Sequence, residues 1–240
     1  MIFLNTIREA PPPGWEEGLL FQIWLNLLRA DRYKMLIEGL GVTMQVTVGA
    51  VLLGVVLGFI AAMLKLSPFP PARWLAGIYI SVIRGTPVVL QLMIMYFIVF
   101  TSPVIPKIMV AILAFGINSG AYAAEIFRAG ILSVDKSQTE AGRSVGLSSA
   151  QTMRLIVLPQ AIKNSLPSLC NEFILLLKES SIVGYIGMMD LTKAGDIIRS
   201  RTYSAFVPLV TVALIYLVIV LTLSWLLSLL ERRLRVSDSR

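Results

Sequence analysis

The chain has 240 residues, of which 56% are hydrophobic and only 15% charged, and its formal net charge is +7. Soluble domains carry roughly 25% charged residues, so this chain has too few to cover a water-exposed surface. The absence of histidine excludes Ser-His-Asp and Cys-His nucleophile pairs and HExxH zinc sites. Cys170 is the only cysteine, which excludes a disulfide within the chain. The composition therefore predicts an integral membrane protein.

Apolar runs predict about five transmembrane helices in an all-α, polytopic bundle, because a membrane helix needs about 20 apolar residues. Four runs are evident, at 39–64, 85–106, 108–124 and 202–230. A fifth candidate, at 162–189, is weaker because it contains two lysines and two glutamates. The run at 85–106 extends back to Trp74 if Arg84 is tolerated within it. The long runs show no strand-like alternation of apolar and polar residues, so the core is predicted to be helical.

These runs divide the chain into three parts. Residues 1–32 are expected to form an extracytoplasmic N-terminal segment, residues 33–232 a transmembrane domain with a polar loop at 133–160, and residues 233–240 a cytoplasmic tail. The N-terminal segment is not a signal peptide, since it lacks a basic start followed by an uninterrupted apolar stretch.

The N-terminal segment is predicted to contain an amphipathic helix. One helical face carries Trp15, Leu19, Leu20, Ile23, Trp24, Leu27 and Leu28, and Glu16, Glu17, Gln22 and Asn26 lie mostly opposite. Such a helix either lies along the membrane surface or packs on the flank of the bundle, and the sequence leaves both placements open.

The distribution of basic residues predicts the orientation. With the N-terminus outside, the cytoplasmic side holds Lys65, Arg73, Arg128, Lys136, Arg143, Arg154, Lys163, Arg232, Arg233, Arg235 and Arg240. The external side holds Arg8, Arg29, Arg32, Lys34, Lys107, Lys193, Arg199 and Arg201, with more acids among them. Since cytoplasmic loops are enriched in Lys and Arg, we expect the N-terminus outside and the C-terminus in the cytoplasm. The net charge therefore reflects topology, and no nucleic-acid-binding surface is expected.

The polar loop at 133–160 carries its own folding signals. Ser137 to Glu140 has the Ser-x-x-Glu form of a capping box, and Gly146 stands where a helix would end in a left-handed residue. A second capping pattern begins at Ser148 and opens a helix expected to run to Pro159. A long loop with structure of its own is usually functional.

The same loop resembles the EAA loop of binding-protein-dependent ABC importers, whose pattern is E-A-A-x3-G-x9-I-x-L-P. The matching residues are Glu140, Ala141, Gly142, Gly146, Ile156, Leu158 and Pro159, with Gly142 standing where the family commonly has alanine. A second departure lies at 135–138, where relatives usually have a glycine before the glutamine. The segments Arg84-Gly85-Thr86-Pro87, 121–128, 158–161 and 177–181 are similar to the branch that carries polar amino acids such as histidine, arginine, glutamine, glutamate, opines and cystine.

The resemblance implies a coupling role for these loop residues and a set of partners. The chain has no G-x-x-x-x-G-K-[ST] phosphate loop, so ATP and Mg are expected on a separate ATPase subunit dimer, with no cofactor on this chain. An extracytoplasmic substrate-binding protein is the other implied partner. Because pathways usually form between repeats or subunits, we also expect a second permease copy or a homologous permease in the lipid bilayer.

Several polar residues within the apolar runs are candidates for the substrate pathway, because charges at membrane depth usually face a bundle interior or a water-filled cavity. They are Arg84, Gly85, Thr86, Asn118, Ser119, Glu172 and Glu179. Asn118 and Ser119 serve either as packing polar groups or as a cavity wall. The Arg84 segment either offers donors to a carboxylate or is a plain kink in which Arg84 pairs with Glu172 or Glu179. A pair between Glu125 and Arg128 favours a structural role.

Two functions of different classes fit these residues. The first is the translocation subunit of an ATP-driven importer of polar amino acids, which is itself not an enzyme. The second is an ion-coupled secondary transporter or a channel that uses the intramembrane carboxylates. The EAA spacing favours the first, since an ion-coupled carrier needs no coupling loop.

Overall fold

The computed structural model describes residues 10–12, 14–15 and 17–236. Part of the predicted N-terminal segment (1–9, 13 and 16) and half of the predicted tail (237–240) therefore lie outside the described residues. The α-helices are α1 (Gly18–Ile23), α2 (Tyr33–Leu66), α3 (Pro70–Arg84), α4 (Val88–Ile94), α5 (Lys107–Leu132), α6 (Lys136–Ser144), α7 (Ser149–Thr152), α8 (Leu158–Glu179), α9 (Leu191–Thr202) and α10 (Phe206–Val236).

Helices α2 and α5 form the centre of the bundle. Small residues let their backbones approach closely, as is common between membrane helices. A methyl group placed on Gly58 would lie 2.5 Å from Cβ of Ala123, so α5 fills the space where a side chain would stand. A core cluster that includes Val46, Leu92, Phe115 and Leu176 then ties α2 and α5 to α4 and α8.

Three helices in the described part of the chain are long and apolar enough to span a membrane: α2, α5 and Phe206–Leu229 of α10. Helix α3 and the segment Val88–Val99, taken together, are also long and apolar enough to form one broken span, which is bent by 104°. The fifth predicted span corresponds to α8, which has 22 residues but is too polar to qualify by composition. All five predicted runs are thus helical, although the boundaries differ from those expected.

The break between α3 and α4 has a local cause. Helix α3 ends at Arg84, with Gly85 as its C-cap, and Pro87 is the N-cap of α4. Proline has no N–H group to continue a helical ladder, and the residue before it is driven out of the helical conformation. The predicted interruption at 84–87 is confirmed.

The described part of the N-terminal segment contacts the bundle. Trp24 is buried, whereas Leu19 and Leu20 on the predicted apolar face are exposed. Asn26 was expected on the polar face and is instead fully buried, with its Oδ1 accepting a hydrogen bond of 2.6 Å from Oγ1 of Thr202. The prediction for Asn26 was wrong because its partner lies 176 residues away.

Candidate functional site

The polar loop is held in shape by three caps, of which the first differs from the prediction. The N-cap of α6 is Asp135 and not Ser137, because the Asp135 side chain accepts a hydrogen bond from the backbone N of Ser137 at 2.8 Å. This bond favours the charged carboxylate and holds the pKa of Asp135 below its usual value. Glu140 consequently lies past the first turn, where it cannot complete a capping box with its own helix.

The end of α6 agrees with the sequence prediction. Gly146 has a φ of +89°, in the left-handed region that favours glycine. The backbone N of Gly146 donates to the carbonyl of Arg143, and that of Leu147 donates to the carbonyl of Gly142. These two bonds form a Schellman motif that satisfies the last carbonyls of α6.

The third cap opens the second half of the loop. Ser148 and Gln151 form the predicted capping box, since each side chain bonds to the other residue's backbone N–H. The helix does not end at Pro159 as expected. It continues through a π-helical turn at Met153–Val157 into α8, and Pro159 lies in the first turn of α8.

Gly142 joins the two halves of the loop. A methyl group on it would lie 2.8 Å from both Cδ1 of Ile156 and Cγ2 of Thr152, so the glycine allows α6 to press against the second half. Its small size thus serves contact within the chain. Glu140 and Ala141 stay exposed on the opposite side of α6.

The loop rests on one end of the bundle. Val157 and Ala161 are buried against Ile131 of α5, and Met63 and Leu66 at the end of α2 pack on the same cluster. Of the remaining residues of the motif, Leu158 is half-buried and Pro159 is exposed. The result is a self-supported projection with an outward face that no described residue covers.

Among the candidate pathway residues, Arg84, Ser119 and Glu172 come together from three helices. The Ser119 hydroxyl donates a hydrogen bond to the Glu172 carboxyl, and the charge of Arg84 acts on the same carboxyl. The guanidinium of Arg84 lies over the ring of Tyr122, with Cζ 5.2 Å from the ring centroid. Arg84, Tyr122 and Glu172 line one cavity of about 500 Å³.

The ion pair that one of the two alternatives assigned to Arg84 is not present: among the described residues, Arg84 is in no ion pair with Glu172 or Glu179. Glu125 and Arg128 line the same cavity and do form the structural pair predicted for them, with Nη2 of Arg128 2.7 Å from Oε2 of Glu125. The charges of Glu125 and Arg128 therefore neutralise each other within the cavity lining. Arg84 therefore keeps an exposed guanidinium above an aromatic ring.

Asn118 belongs to a different polar group. Its Nδ2 donates a hydrogen bond of 2.9 Å to Oε1 of Gln91. The Nε2 of Gln91 donates in turn to the carbonyl of Ile83 and to the carbonyl and hydroxyl oxygens of Thr86. Asn118 thus braces the break between α3 and α4 through Gln91. The sequence did not single out Gln91, although it is a polar residue in an otherwise apolar run.

The three remaining candidates are Gly85, Thr86 and Glu179. Gly85 and Thr86 are exposed, and the Thr86 hydroxyl donates to the carbonyl of Val82 across the break. Glu179 lies seven residues beyond Glu172 on the same face of α8, and its charge acts on Glu172.

A bundle of long apolar helices, with a self-supported polar loop at one end and charged groups around an internal cavity, defines the membrane subunit of a transport system. Residues 54–236 match the family described as binding-protein-dependent transport system inner membrane component. The chain belongs to this family.

Named relatives agree with that assignment. The arginine transport system permease protein ArtQ of Bacillus subtilis is 40% identical over 205 residues, covering 85% of this chain and 94% of ArtQ. The glutamine transport system permease protein GlnP of Escherichia coli K12 is 38% identical over 205 residues, covering 84% of this chain and 94% of GlnP.

Solved structures give the same picture. A chain of an amino acid ABC transporter solved with histidines superposes with a TM-score of 0.80 at 48% identity, covering 85% of this chain and 96% of that one. A chain of the MetNI methionine ABC transporter superposes with a TM-score of 0.71 at 18% identity, covering 84% and 97%, which shows the shared fold alone.

The chain is therefore a multi-pass inner-membrane permease subunit of an ATP-driven importer. It has no ATPase site of its own, because importers of this family place ATP hydrolysis on a separate subunit and take substrate from a binding protein. The ion-coupled carrier considered from the sequence is not favoured.

Proposed function

We propose that this permease carries polar amino acids, and that the outward face of α6 docks on the ATPase subunit. The observation that carries the docking role is the build of the loop. Caps at Asp135, Gly146 and Ser148 fix its shape, and buried contacts at Gly142 and Val157 fix its position on the bundle. A rigid projection can transmit motion between subunits, and here it leaves Glu140 and Ala141 free for a partner.

The substrate class is supported by the cavity between α3, α5 and α8. An amino acid keeps a charged ammonium and carboxylate, so its pathway must offer groups of both signs or retain water. Arg84 supplies a cation and Glu172 an anion in the same cavity, and Ser119 holds the carboxyl of Glu172 in place. Relatives named for arginine and glutamine transport support the same class.

The full assembly that we propose contains two permeases and two ATPase subunits, with ATP and Mg held by the ATPase dimer and an extracytoplasmic binding protein on the outer side. Only 17% of the most apolar 18-residue stretch of α10 is buried against the rest of the described chain. This leaves a long apolar surface for lipid or for a second permease. The loop end of the bundle faces the cytoplasm, so the N-terminus lies outside.

The docking role is tested with two exposed residues of α6 that point to different sides. Glu140→Gln and Gln138→Lys raise the net charge by the same amount, and residues two apart lie on nearly opposite helical faces. We expect Glu140→Gln to weaken co-purification with the ATPase subunit and Gln138→Lys to leave it unchanged. Equal retention of the ATPase by both variants, with transport intact, would contradict the docking role.

The substrate pathway is tested separately in reconstituted complexes that still assemble. We expect Glu172→Gln and Arg84→Gln to lose most uptake and substrate-stimulated ATP hydrolysis, since each removes one of the two charges in the cavity. Asn118→Ala tests the hydrogen-bonded brace and not the cavity. Normal uptake by both charge variants would place the specificity in the external binding protein.

The orientation is tested by labelling single cysteines in a Cys170→Ser background. Cysteines introduced at 65–73 and at 136–150 should react only from the cytoplasm, and those at 103–106 only from outside. The reverse pattern would overturn the placement of the loop.

A further inference from the structure

A second cavity, of about 680 Å³, lies between the end of α2 and one face of α3. It is lined by Lys65, Pro70, Arg73, Trp74, Gly77, Ile78, Ser81 and Val82. It shares no lining residue with the cavity that contains Arg84 and Glu172. Neither the transport pathway nor the docking role accounts for it.

This basic groove lies at the end of the bundle that carries the polar loop. Leu66, next to Lys65, packs with Ile131 and Val157 in the cluster on which the loop rests. In the proposed orientation this end meets the cytoplasmic leaflet. The position therefore places two cations at the level of lipid headgroups.

The two cations are available to a ligand. Lys65 extends across α3 and lies over Gly77, so that a methyl group there would be 2.7 Å from its Nζ. Neither Lys65 nor Arg73 forms an ion pair with a carboxylate in the described part of the chain. Lys65 and Arg73 thus bring two positive charges to one groove, which favours an anionic ligand.

The rest of the groove is lined mainly by apolar residues. The residues that line it recur at helical spacing from Pro70 to Val82, so they form one face of α3. Trp74 and Ile78 on this face are 66% and 41% exposed. Twelve residues of helix rise about 18 Å, close to the depth of one leaflet of a hydrocarbon core about 30 Å thick.

We propose that this groove binds an anionic phospholipid of the cytoplasmic leaflet. Lys65 and Arg73 contact the headgroup phosphate, the ring of Trp74 lies at the interfacial level where tryptophan is enriched in membrane proteins, and an acyl chain follows Ile78 and Val82. Basic pockets between membrane helices on the cytoplasmic side recognise anionic headgroups in this way. The groove combines two cations with a mainly apolar lining, and this amphipathic composition fits a phospholipid better than a soluble anion.

The test uses the complete transporter, with its ATPase and any sister permease, purified in detergent and titrated with phosphatidylglycerol or phosphatidylcholine under native mass spectrometry. Each cation near an anionic headgroup contributes about fivefold in affinity, so Lys65→Gln with Arg73→Gln should weaken phosphatidylglycerol binding about 25-fold. The matched control, Lys34→Gln with Arg201→Gln, removes the same charge at the other end of α2 and should change it little. Gly77→Leu fills the groove without changing charge and should also weaken binding.

Three results would overturn the proposal. The first is unchanged phosphatidylglycerol affinity in the double variant or in Gly77→Leu, with the complex intact. The second is equal affinity of the wild-type complex for phosphatidylcholine. The third is disulfide formation between two permease copies carrying Ile78→Cys in a Cys170→Ser background, which would mean that a protomer and not a lipid covers the groove.

Discussion

Asn118 of α5 and Gln91 of α4 are joined by a hydrogen bond of 2.9 Å between the Asn118 Nδ2 and the Gln91 Oε1. The Nε2 of Gln91 donates hydrogen bonds to Ile83 and Thr86 across the break, so a single glutamine connects α5 to both sides of the bend. In an apolar environment such a network is costly to leave half satisfied.

The first prediction follows from this bond. Gln91→Leu removes the acceptor of Asn118 and the donors to the break, and we expect it to destabilise the complex by about 2 kcal/mol. Thermal unfolding of the purified complex measures the effect. Gln45→Leu is the matched control, since Gln45 is exposed on α2. Equal unfolding temperatures for the two variants would show that the Gln91 network does not hold the bend.

The second prediction separates the observed cap of α6 from the expected one. Asp135→Ala should speed hydrogen exchange at residues 136–139, because the bond to the backbone N of Ser137 is lost. Ser137→Ala should have the smaller effect, since it removes only the bond of the Ser137 side chain to the Asp135 carboxyl and leaves the backbone N–H in place. The result would be contradicted if Ser137→Ala had the larger effect.

The same cap has a defined pH dependence. The pKa of Asp135 is lowered on folding, so its stabilising contribution is complete above the unfolded value and is lost as the pH falls through the folded one. Once corrected for the intrinsic exchange rate, exchange at 136–139 should therefore not change with pH near neutrality and should rise as the pH falls through the folded-state pKa of Asp135.

The third prediction concerns the contact inside the loop. Gly142→Val should cost about 1–3 kcal/mol, because the new side chain overlaps Thr152 and Ile156. We expect lower ATPase co-purification and uncoupled ATP hydrolysis in the reconstituted complex. Adding Ile156→Ala should restore part of both, since it empties one side of the contact. A double variant no better than Gly142→Val would place the defect elsewhere.

The sequence predicted the features of the loop and the bundle that depend on nearby residues. The capping box at Ser148, the left-handed Gly146 and the break at Pro87 are all encoded within a few positions, and all are confirmed. Asp135 was missed because aspartate and serine are both good N-caps and two positions apart. The choice between them depends on where the preceding helix α5 ends.

Long-range pairing was beyond the sequence. Asn26 and Thr202 meet only because the N-terminal segment packs beside the end of α9, and no local pattern records that contact. Because long-range contacts cannot be read from local sequence, only some of the residues around the cavity were predicted correctly. Arg84 and Glu172 are recognisable as charges in apolar runs, but only the fold separates them from Asn118 and joins Asn118 to Gln91.

The last prediction tests the packing on which every site depends. At Gly58 a methyl group would lie 2.5 Å from Cβ of Ala123 and 2.9 Å from the carbonyl oxygen of Gly120, so α2 and α5 must separate to admit a side chain. We expect Gly58→Val to abolish the folded complex in detergent, as judged by its yield in size-exclusion chromatography. Gly41→Val is the matched control on the same helix, because nothing lies within 4 Å of the position of its new Cβ. Combining Gly58→Ala with Ala123→Gly should recover more complex than Gly58→Ala alone, since one of the two close contacts is removed while the backbone contact stays. If Gly58→Val and Gly41→Val gave equal yields, the close approach of α2 and α5 would not be needed for assembly.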